Sequence, residues 1–210
     1  MSGVLKLGVL VSGGGTNLQA IIDEIESGSL PAEIVCVISN NKNAYALERA
    51  KKHKLYGICI RKKDFDTLGA YEDEVIRALK ERGCELVVQA GFLVVLGEKF
   101  VKEFENRVMN VHAALIPSFC GKGFYGLKVH EAVLEKGCKI TGATVHFVNG
   151  EIDGGPIILQ KAVEVIDGDT PEILQKRVMA EAEHIILPHA IKLFAENRLA
   201  IENNKVRIID

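Results

Sequence analysis

Three observations in the amino-acid sequence predict an α/β fold: a single Rossmann-like open twisted sheet, mainly parallel, with an antiparallel addition in the C-terminal half and helices on both faces. Short apolar runs alternate with stretches of helical periodicity through the first 111 residues. A glycine-rich turn follows the first run directly. Beyond residue 111 the alternation gives way to a long loop and two neighbouring strand-like segments. Strand–helix alternation is the pattern of a parallel sheet, because each parallel connection needs a crossover element. At 210 residues one domain spanning 1–210 is expected.

Leu5–Val11 (LKLGVLV) is an apolar run closed by Ser12-Gly13-Gly14-Gly15, as a buried strand would be. Leu18, Ile21, Ile22 and Ile25 then fall at i, i+3, i+4 and i+7, one face of a helix that Ser27-Gly28-Ser29 stops. Glu33–Ser39 is a second, β-branched strand, followed by a helix over Ala44–Lys54 and a short strand over Tyr56–Ile60. The next helix ends near Arg82 with Gly83 in the C′ position. Leu86–Gln89 is a fourth strand, a further helix lies near Gly97–Phe104, and Val108–Val111 is a fifth strand. Ala113–Gly126 is a loop with one proline and three glycines, and Leu127–Lys136 is a helix. Ile140–Val148 and Ile157–Val165 form a half-exposed strand pair around a turn at Asn149–Pro156. A long helix starts at Pro171, capped by Thr170, with a kink at Pro188. Ile201–Ile208 is a terminal hairpin turning at Asn203-Asn204.

Composition narrows the function. Hydrophobic residues at 48% and charged residues at 26% exclude disorder and low complexity. Lys+Arg 26 against Asp+Glu 28 excludes a strongly basic nucleic-acid surface. No apolar run approaches the ~20 residues of a membrane span, and the opening MSGVLKLGVLVSGGG breaks at glycines too early for a signal peptide. A cytoplasmic monomer or homodimer, without nucleic-acid or membrane partners, is expected. Cys36, Cys59, Cys84, Cys120 and Cys138 show no C-x-x-C spacing and read as free thiols. The six histidines form neither H-x-x-x-H nor H-E-x-x-H, so no metal is expected.

Right-handed crossovers align the carboxyl ends of the parallel strands along one edge, where ligands bind. The Ser12–Asn17 turn lies on that edge, where glycines admit an anion closely and the N–H groups of the helix start point at it. A phosphate monoester fits, although a purely structural turn is the alternative. The dinucleotide fingerprint fails, because Leu18 stands where the third glycine belongs and Ser39-Asn40-Asn41 lacks the acid for a ribose hydroxyl. A P-loop fails for want of the Lys-Ser/Thr pair. Alternation in Val108-Met109-Asn110-Val111-His112 sends Asn110 and His112 to one face at the same edge. Asp153, in Ile152-Asp153-Gly154-Gly155-Pro156, puts a carboxylate on a tight turn, although Asp-Gly-Gly is equally a routine turn signal. Cys120 lies near His112 but has no feature of an activated thiolate. His146 reads as a polar-face residue or one that supports a ligand-contacting neighbour, rather than as a ligand itself, His53, His130 and His189 as helix-surface residues, and Lys51-Lys52 and Arg61-Lys62-Lys63 as solvated faces. His184 adjoins Glu183 near the ligand edge.

The segments SGGGTNLQAI (Ser12–Ile21), MNVHAALIPSF (Met109–Phe119), GATVHFVNGEIDGGPII (Gly142–Ile158) and EHIILP (Glu183–Pro188) resemble the folate-dependent formyltransferases, over nearly the whole chain. The resemblance implies metal-free transfer of the formyl group of 10-formyltetrahydrofolate, the co-substrate, to the amine of glycinamide ribonucleotide in purine biosynthesis. Carried over by motif, Asn110 donates to the developing oxyanion, His112 stabilises that charge and manages the proton, and Asp153 pairs with His112 and favours its charged form. The amine must be neutral to attack, so a proton sink is needed, for instance water held by Asp153. Gly14, Gly15, Thr16 and Asn17 hold the phosphate or ribose, with Glu183 also touching the ribonucleotide. The folate lies against Leu93, Val94, Val95 and Leu96, against Asn110, and against the loop of Asn149, Gly150, Glu151, Ile152 and Asp153. Residues 1–111 are then the phosphate-binding half, and 112–210 the catalytic loop and folate-binding half.

The chain departs from the family pattern at several points. Val94 and either Leu68 or Gly69 stand where arginines are common, Cys120 stands where proline is usual, and the spacing before Glu183 is one residue longer. Arg61, Lys62 and Lys63 are nearby cations that could replace the arginines. Two relatives share the core: a formyltetrahydrofolate hydrolase normally adds an N-terminal regulatory domain, and a methionyl-tRNA formyltransferase a basic C-terminal one. A chain that begins at its first strand and ends at Asp210 favours the ribonucleotide substrate. A non-catalytic Rossmann-like module for folate or a nucleotide is the rival from another class.

Overall fold

The computed structural model describes residues 3–209. Five parallel strands, β1 (Leu5–Val11), β2 (Ala32–Ser39), β3 (Gly57–Cys59), β4 (Leu86–Gln89) and β5 (Val108–His112), are continued by the antiparallel β6 (Ile140–Phe147) and β7 (Ile157–Glu164). Their order is β3-β2-β1-β4-β5-β6-β7. The chain winds outward from β1 to β3 and then crosses to β4. The crevice at that reversal, between the turns that leave β1 and β4, is where an open α/β sheet binds ligands.

Strand alternation divides the core. Leu7, Val9 and Val11 of β1 join the cluster on one face, beneath α1 (Thr16–Glu26), α2 (Tyr45–Lys52), α5 (Leu127–Glu135), α6 (Pro171–Val178) and α7 (His184–Ala195). Leu10 joins the other, beneath α3 (Leu68–Glu81) and α4 (Glu98–Glu103). Helices therefore cover both faces, as the sequence predicts. Thr170 Oγ1 accepts from Ile173 N at 3.3 Å with Pro171 in the first turn, so the capping reading holds. The terminal hairpin pairs β8 (Leu199–Glu202) with β9 (Lys205–Ile208), and Asn203 and Asn204 both take positive φ (50° and 59°), as a two-residue hairpin turn requires. Among the described residues no helix is long and apolar enough to cross a membrane.

Two expectations are corrected. The β6–β7 pair is not half-exposed as a unit: β6 is buried from Thr141 to Phe147, and only β7 shows the alternating exposure of an edge. The reason is position, since β6 lies inside the sheet between β5 and β7 and is covered by the loop after β5, with Thr144 Oγ1 donating to Ala114 O at 2.7 Å. The long C-terminal helix departs from α-helical bonding at a π turn, Met179–Glu183, one turn before Pro188. An i→i+5 turn holds one residue more than an α turn, which accommodates the extra residue before Glu183.

Gly142 marks a close approach on β6: a Cβ there would lie 2.1 Å from the Lys161 carbonyl and 2.8 Å from Leu115 Cδ2. Gly142→Ala is expected to destabilise the fold by about 1–3 kcal/mol, lowering the melting temperature by about 2–4 °C per kcal/mol in a thermal unfolding scan.

Candidate active site

The crevice deepens into a cavity of about 710 Å³. One wall is the glycine turn after β1. Gly15 takes φ 70° to start α1, and its missing side chain is a steric necessity, because a Cβ would sit 2.6 Å from Ala46 Cβ. Asn17, in the first turn of α1, donates through Nδ2 to Glu183 Oε2 at 2.7 Å, and both are buried. Burial pushes the Glu183 carboxyl up, an effect the Asn17 bond only partly offsets. Asn17 Oδ1 is buried without a hydrogen-bond partner.

The opposite wall is the segment that leaves β4. Leu93 and Val95 are exposed, whereas Phe92 and Leu96 are buried beneath them. Ser12 ties this wall to the glycine turn: its N–H donates to Gly91 O at 3.1 Å, and its Oγ accepts from Leu93 N at 2.9 Å. Glu72, a buried carboxylate on α3, accepts from Gly97 N and anchors the far end. Neither residue stands out in the sequence, because each acts on backbone brought close only by the sheet.

The floor comes from β5. Asn110 and His112 both line the cavity, two residues apart on one strand face. Antiparallel pairing sets His146 opposite Asn110 and Thr144 opposite His112. His146 Nδ1 lies 2.8 Å from Phe147 O, which can only accept, so Nδ1 carries the proton. In the neutral ring Nε2 then accepts from Asn110 Nδ2 at 3.2 Å, which orients the amide. His112 Nε2 donates to Phe119 O at 2.8 Å, and its Nδ1 faces Asp153 Oδ2 at 3.8 Å.

Asp153 arrives on the turn between β6 and β7. Glu151 N bonds Asn149 Oδ1 at 2.9 Å, Gly154 N bonds Glu151 O at 3.2 Å, and Asp153 itself takes φ 55°. A Cβ on Gly155 would fall 1.8 Å from Phe147 O, so that glycine lets the turn fold back on β6. Asp153 Oδ2 accepts from Gly121 N at 2.9 Å, and Oδ1 lies 3.8 Å from His146 Nε2. Burial pushes the Asp153 carboxyl up, but the His146 ring in its protonated form, the Gly121 N–H and the charge of His112 together outweigh it and hold it below the usual range.

The residues that the resemblance assigns to the site all line this one cavity: Gly14–Asn17, Leu93–Leu96, Asn110, His112, Asn149–Asp153 and Glu183. Other expectations change. His130 is not a helix-surface residue: it is fully buried, its ring nitrogens lack partners, and burial followed by the charge of His112 pushes it down to about 4. His53 is largely covered between α2 and α1, bonding Glu26 Oε1 at 2.7 Å and Gln19 Nε2 at 3.2 Å. Arg61 is committed to Asp64 by two bonds of 2.7 and 2.8 Å, and neither it nor Lys62 nor Lys63 lines the cavity. Among the described lining residues the one Lys or Arg is Lys122, on the loop after β5. Cys120 donates to Pro117 O at 3.2 Å, and burial and Asp153 push its thiol up, which opposes a nucleophilic role.

The chain belongs to the formyl transferase family, which it matches over residues 5–191. It is 39% identical over 199 residues to the phosphoribosylglycinamide formyltransferase of Haemophilus influenzae, covering 95% of this chain and 91% of that one. The crystal structure of glycinamide ribonucleotide transformylase 1 from Symbiobacterium toebii superposes with a TM-score of 0.93 at 42% identity, covering 99% of this chain and 95% of that chain. A formyltetrahydrofolate deformylase from Pseudomonas syringae is more distant, with a TM-score of 0.87 at 26% identity over 98% of this chain and 66% of that one.

A carboxyl whose folded pKa is raised binds protons that the unfolded chain has released, so stability falls as pH climbs from the ordinary carboxylate value to the raised one. Glu183→Gln keeps an oxygen for Asn17 and removes this titration. It is expected to melt with the wild type near pH 4 and above it at pH 7, by about 2–4 °C for each kcal/mol relieved. Calorimetry in pH steps checks this; a melting difference that ignores pH would remove ionisation from the account.

Proposed function

We propose that the protein transfers the formyl group of 10-formyltetrahydrofolate to the amine of glycinamide ribonucleotide, giving formylglycinamide ribonucleotide and tetrahydrofolate. The observation that carries this reading is the convergence of Asn110, His112 and Asp153 on a cavity that has a glycine-turn anion cradle at one side and an apolar wall at the other. The names of the similar proteins support it.

The glycine turn and the Asn17–Glu183 pair hold the ribonucleotide, and the exposed backbone of Leu93–Leu96 with the Asn149–Asp153 turn receives the folate. Attack by the neutral amine makes the formyl carbon tetrahedral and places negative charge on its oxygen. Asn110, with one N–H directed to His146, keeps a second for that oxygen. Protonated His112 adds a charged donor through Nδ1. The 3.8 Å gap to Asp153 is too long for a direct hydrogen bond, so the carboxylate acts as a countercharge at one remove. A carboxyl held low is a poor final base, which assigns Asp153 to stabilising the imidazolium. As the tetrahedral carbon collapses, the bond to N10 of the folate breaks, the imidazolium gives its Nδ1 proton to that departing nitrogen, and the ring so freed, or solvent, takes the proton of the attacking amine. Donors aimed at such an oxyanion contribute on the order of 3–4 kcal/mol each.

Release of tetrahydrofolate from 10-formyltetrahydrofolate, followed with and without glycinamide ribonucleotide, tests the reading. Amine-dependent turnover is expected. Release without the amine would make the protein a hydrolase, and binding without turnover a non-catalytic module. His112→Ala and Asp153→Ala are each expected to lower kcat by at least ~10²-fold while leaving the KM for ribonucleotide within about threefold. Cys120→Ser is expected to leave kcat unchanged, and a large loss there would reopen the thiol's role.

A further inference from the structure

A second cleft of about 400 Å³ runs along α1 between α2 and α7 and meets the substrate cavity at Thr16. Its charged lining is asymmetric. Arg49 of α2 belongs to it, as do His184 at the start of α7 and the carboxylates Asp23 and Glu24 of α1. Asp23 lies seven residues beyond Thr16, about 10 Å along the helix axis. An anion is therefore repelled from the far end of the cleft and confined to the Thr16 end.

That end needs a cation. The start of α1 offers a ligand dipole equivalent to about half a positive charge, against roughly −1.5 to −2 on a phosphate monoester at neutral pH. Lys122, the one Lys or Arg among the described residues of the main cavity, sits instead on the loop beside Gly121, whose N–H binds Asp153.

Arg49 is held at the glycine turn. Its Nε donates to Gly14 O at 2.8 Å and its Nη1 to Gln19 Oε1 at 2.9 Å, with the guanidinium 5.0 Å from the centre of the Tyr45 ring. These bonds use two of its five N–H donors and leave three of a fork that suits phosphate oxygens. Ala46, whose contact forbids a side chain at Gly15, lies one turn earlier on the same helix, so α2 cannot move away without releasing the turn. Burial, and then the charge of Arg49, push His184 down, which marks the guanidinium as an active charge in this cleft. The neighbouring Asn17 is only 6% exposed, and its partnerless Oδ1 on the cavity wall suits a hydroxyl next to the phosphate.

Resting on the function proposed above, we propose that Arg49 pairs with the phosphate of the ribonucleotide and makes the phosphorylated amine the preferred acceptor over its nucleoside. The acceptor's phosphate sits at the Thr16 end of the cleft, between the first turn of α1 and the guanidinium.

Steady-state kinetics at saturating 10-formyltetrahydrofolate, with glycinamide ribonucleotide and with its dephosphorylated riboside, tests this on the wild type and on Arg49→Lys, Arg49→Gln and Arg49→Ala. Arg49→Gln keeps an amide N–H donor at the same helix position and deletes the charge and the guanidinium fork. Arg49→Gln and Arg49→Ala are expected to raise the KM for ribonucleotide at least ~10-fold, the scale of a charged hydrogen bond. Their kcat, and their KM or inhibition constant for the riboside, should stay within about threefold, and Arg49→Lys should retain most of the affinity. Equal losses on both acceptors would make Arg49 a brace of the turn, and an unchanged ribonucleotide KM would remove it from the site; either overturns the proposal. Wild-type protein that never uses the ribonucleotide overturns the proposed function instead. Thermal protection by ribose 5-phosphate then decides on Arg49, with equal protection of wild type and Arg49→Gln counting against it.

Discussion

The carboxylate of Asp153 joins three segments that the chain encodes far apart: the turn after β6, the loop after β5 through Gly121 N, and the facing rings of His112 and His146. Burying a carboxylate costs several kcal/mol unless charge and hydrogen bonds compensate. Here the Gly121 N–H and the imidazoles in their charged form do so, and their sum holds the carboxyl below its usual range. The same compensation fixes geometry, since Asp153 keeps its partners only while the loop lies across the crevice. A positive φ at Asp153, close contact at Gly155 and the bond of Asn149 Oδ1 to Glu151 N aim the carboxylate inward. Asp-Gly-Gly as a turn signal and Asp153 as a functional carboxylate are one physical fact, because this turn is what brings the charge to the imidazoles.

Reversal of strand direction at β6 gives that carboxylate something to meet. β5 delivers Asn110 and His112, and the antiparallel neighbour sets a positioning side chain opposite each. His146 orients the Asn110 amide, with its own tautomer fixed by the Phe147 carbonyl. Thr144, opposite His112, bonds Ala114 O and Ile116 N and so starts the loop after β5 on a defined path. Gln160 of β7 adds a bond to Ile116 O at 2.9 Å. The antiparallel pairing of β7 with β6 is what allows the connection between them to be a short turn bearing Asp153, where a parallel β7 would need a long crossover.

The strands, the helix caps, the glycine turn and the Asn110–His112 pair were legible in the sequence because each rests on local chemistry: alternation, a C′ glycine at 83, a Thr-Pro start at 170 and an Asn-x-His pair on one strand face. Leu93–Leu96, the Asn149–Asp153 loop and Glu183 were reached only through the resemblance to the formyltransferases. What was hidden depended on tertiary neighbours. The burial of His130 follows from how α5 docks, since Val129 and Val133 beside it are core residues and the helix is short. His146 read either as a polar-face residue or as one behind a ligand contact, and the choice between them depended on the register that pairs it with Asn110. Ser12 and Glu72 bind backbone N–H groups more than twenty residues away, which no spacing in the sequence reveals. The π turn before Glu183 left a trace, the one-residue excess, but its place ahead of Pro188 depended on how the helix packs.

The polar cradle on the glycine side bears on which reaction the site serves. Hydrolysis of a formylated folate needs one organic ligand and a water. It has no use for a carboxylate as buried as Glu183, pushed up by desolvation, beside an Asn17 oxygen left without a partner. Both are unfavourable in the free protein, and an unsatisfied buried polar group costs about 1–3 kcal/mol. Such groups are relieved by a ligand that brings hydroxyls to them, and the anion-accepting turn at Gly15–Asn17 lies immediately alongside. A ribose bearing a phosphate meets both demands at once and would place its amine over the strand that carries Asn110 and His112. On the function proposed above, the unfavourable groups on this wall are matched to a second substrate, which would be the physical difference between passing a formyl group on and losing it to water.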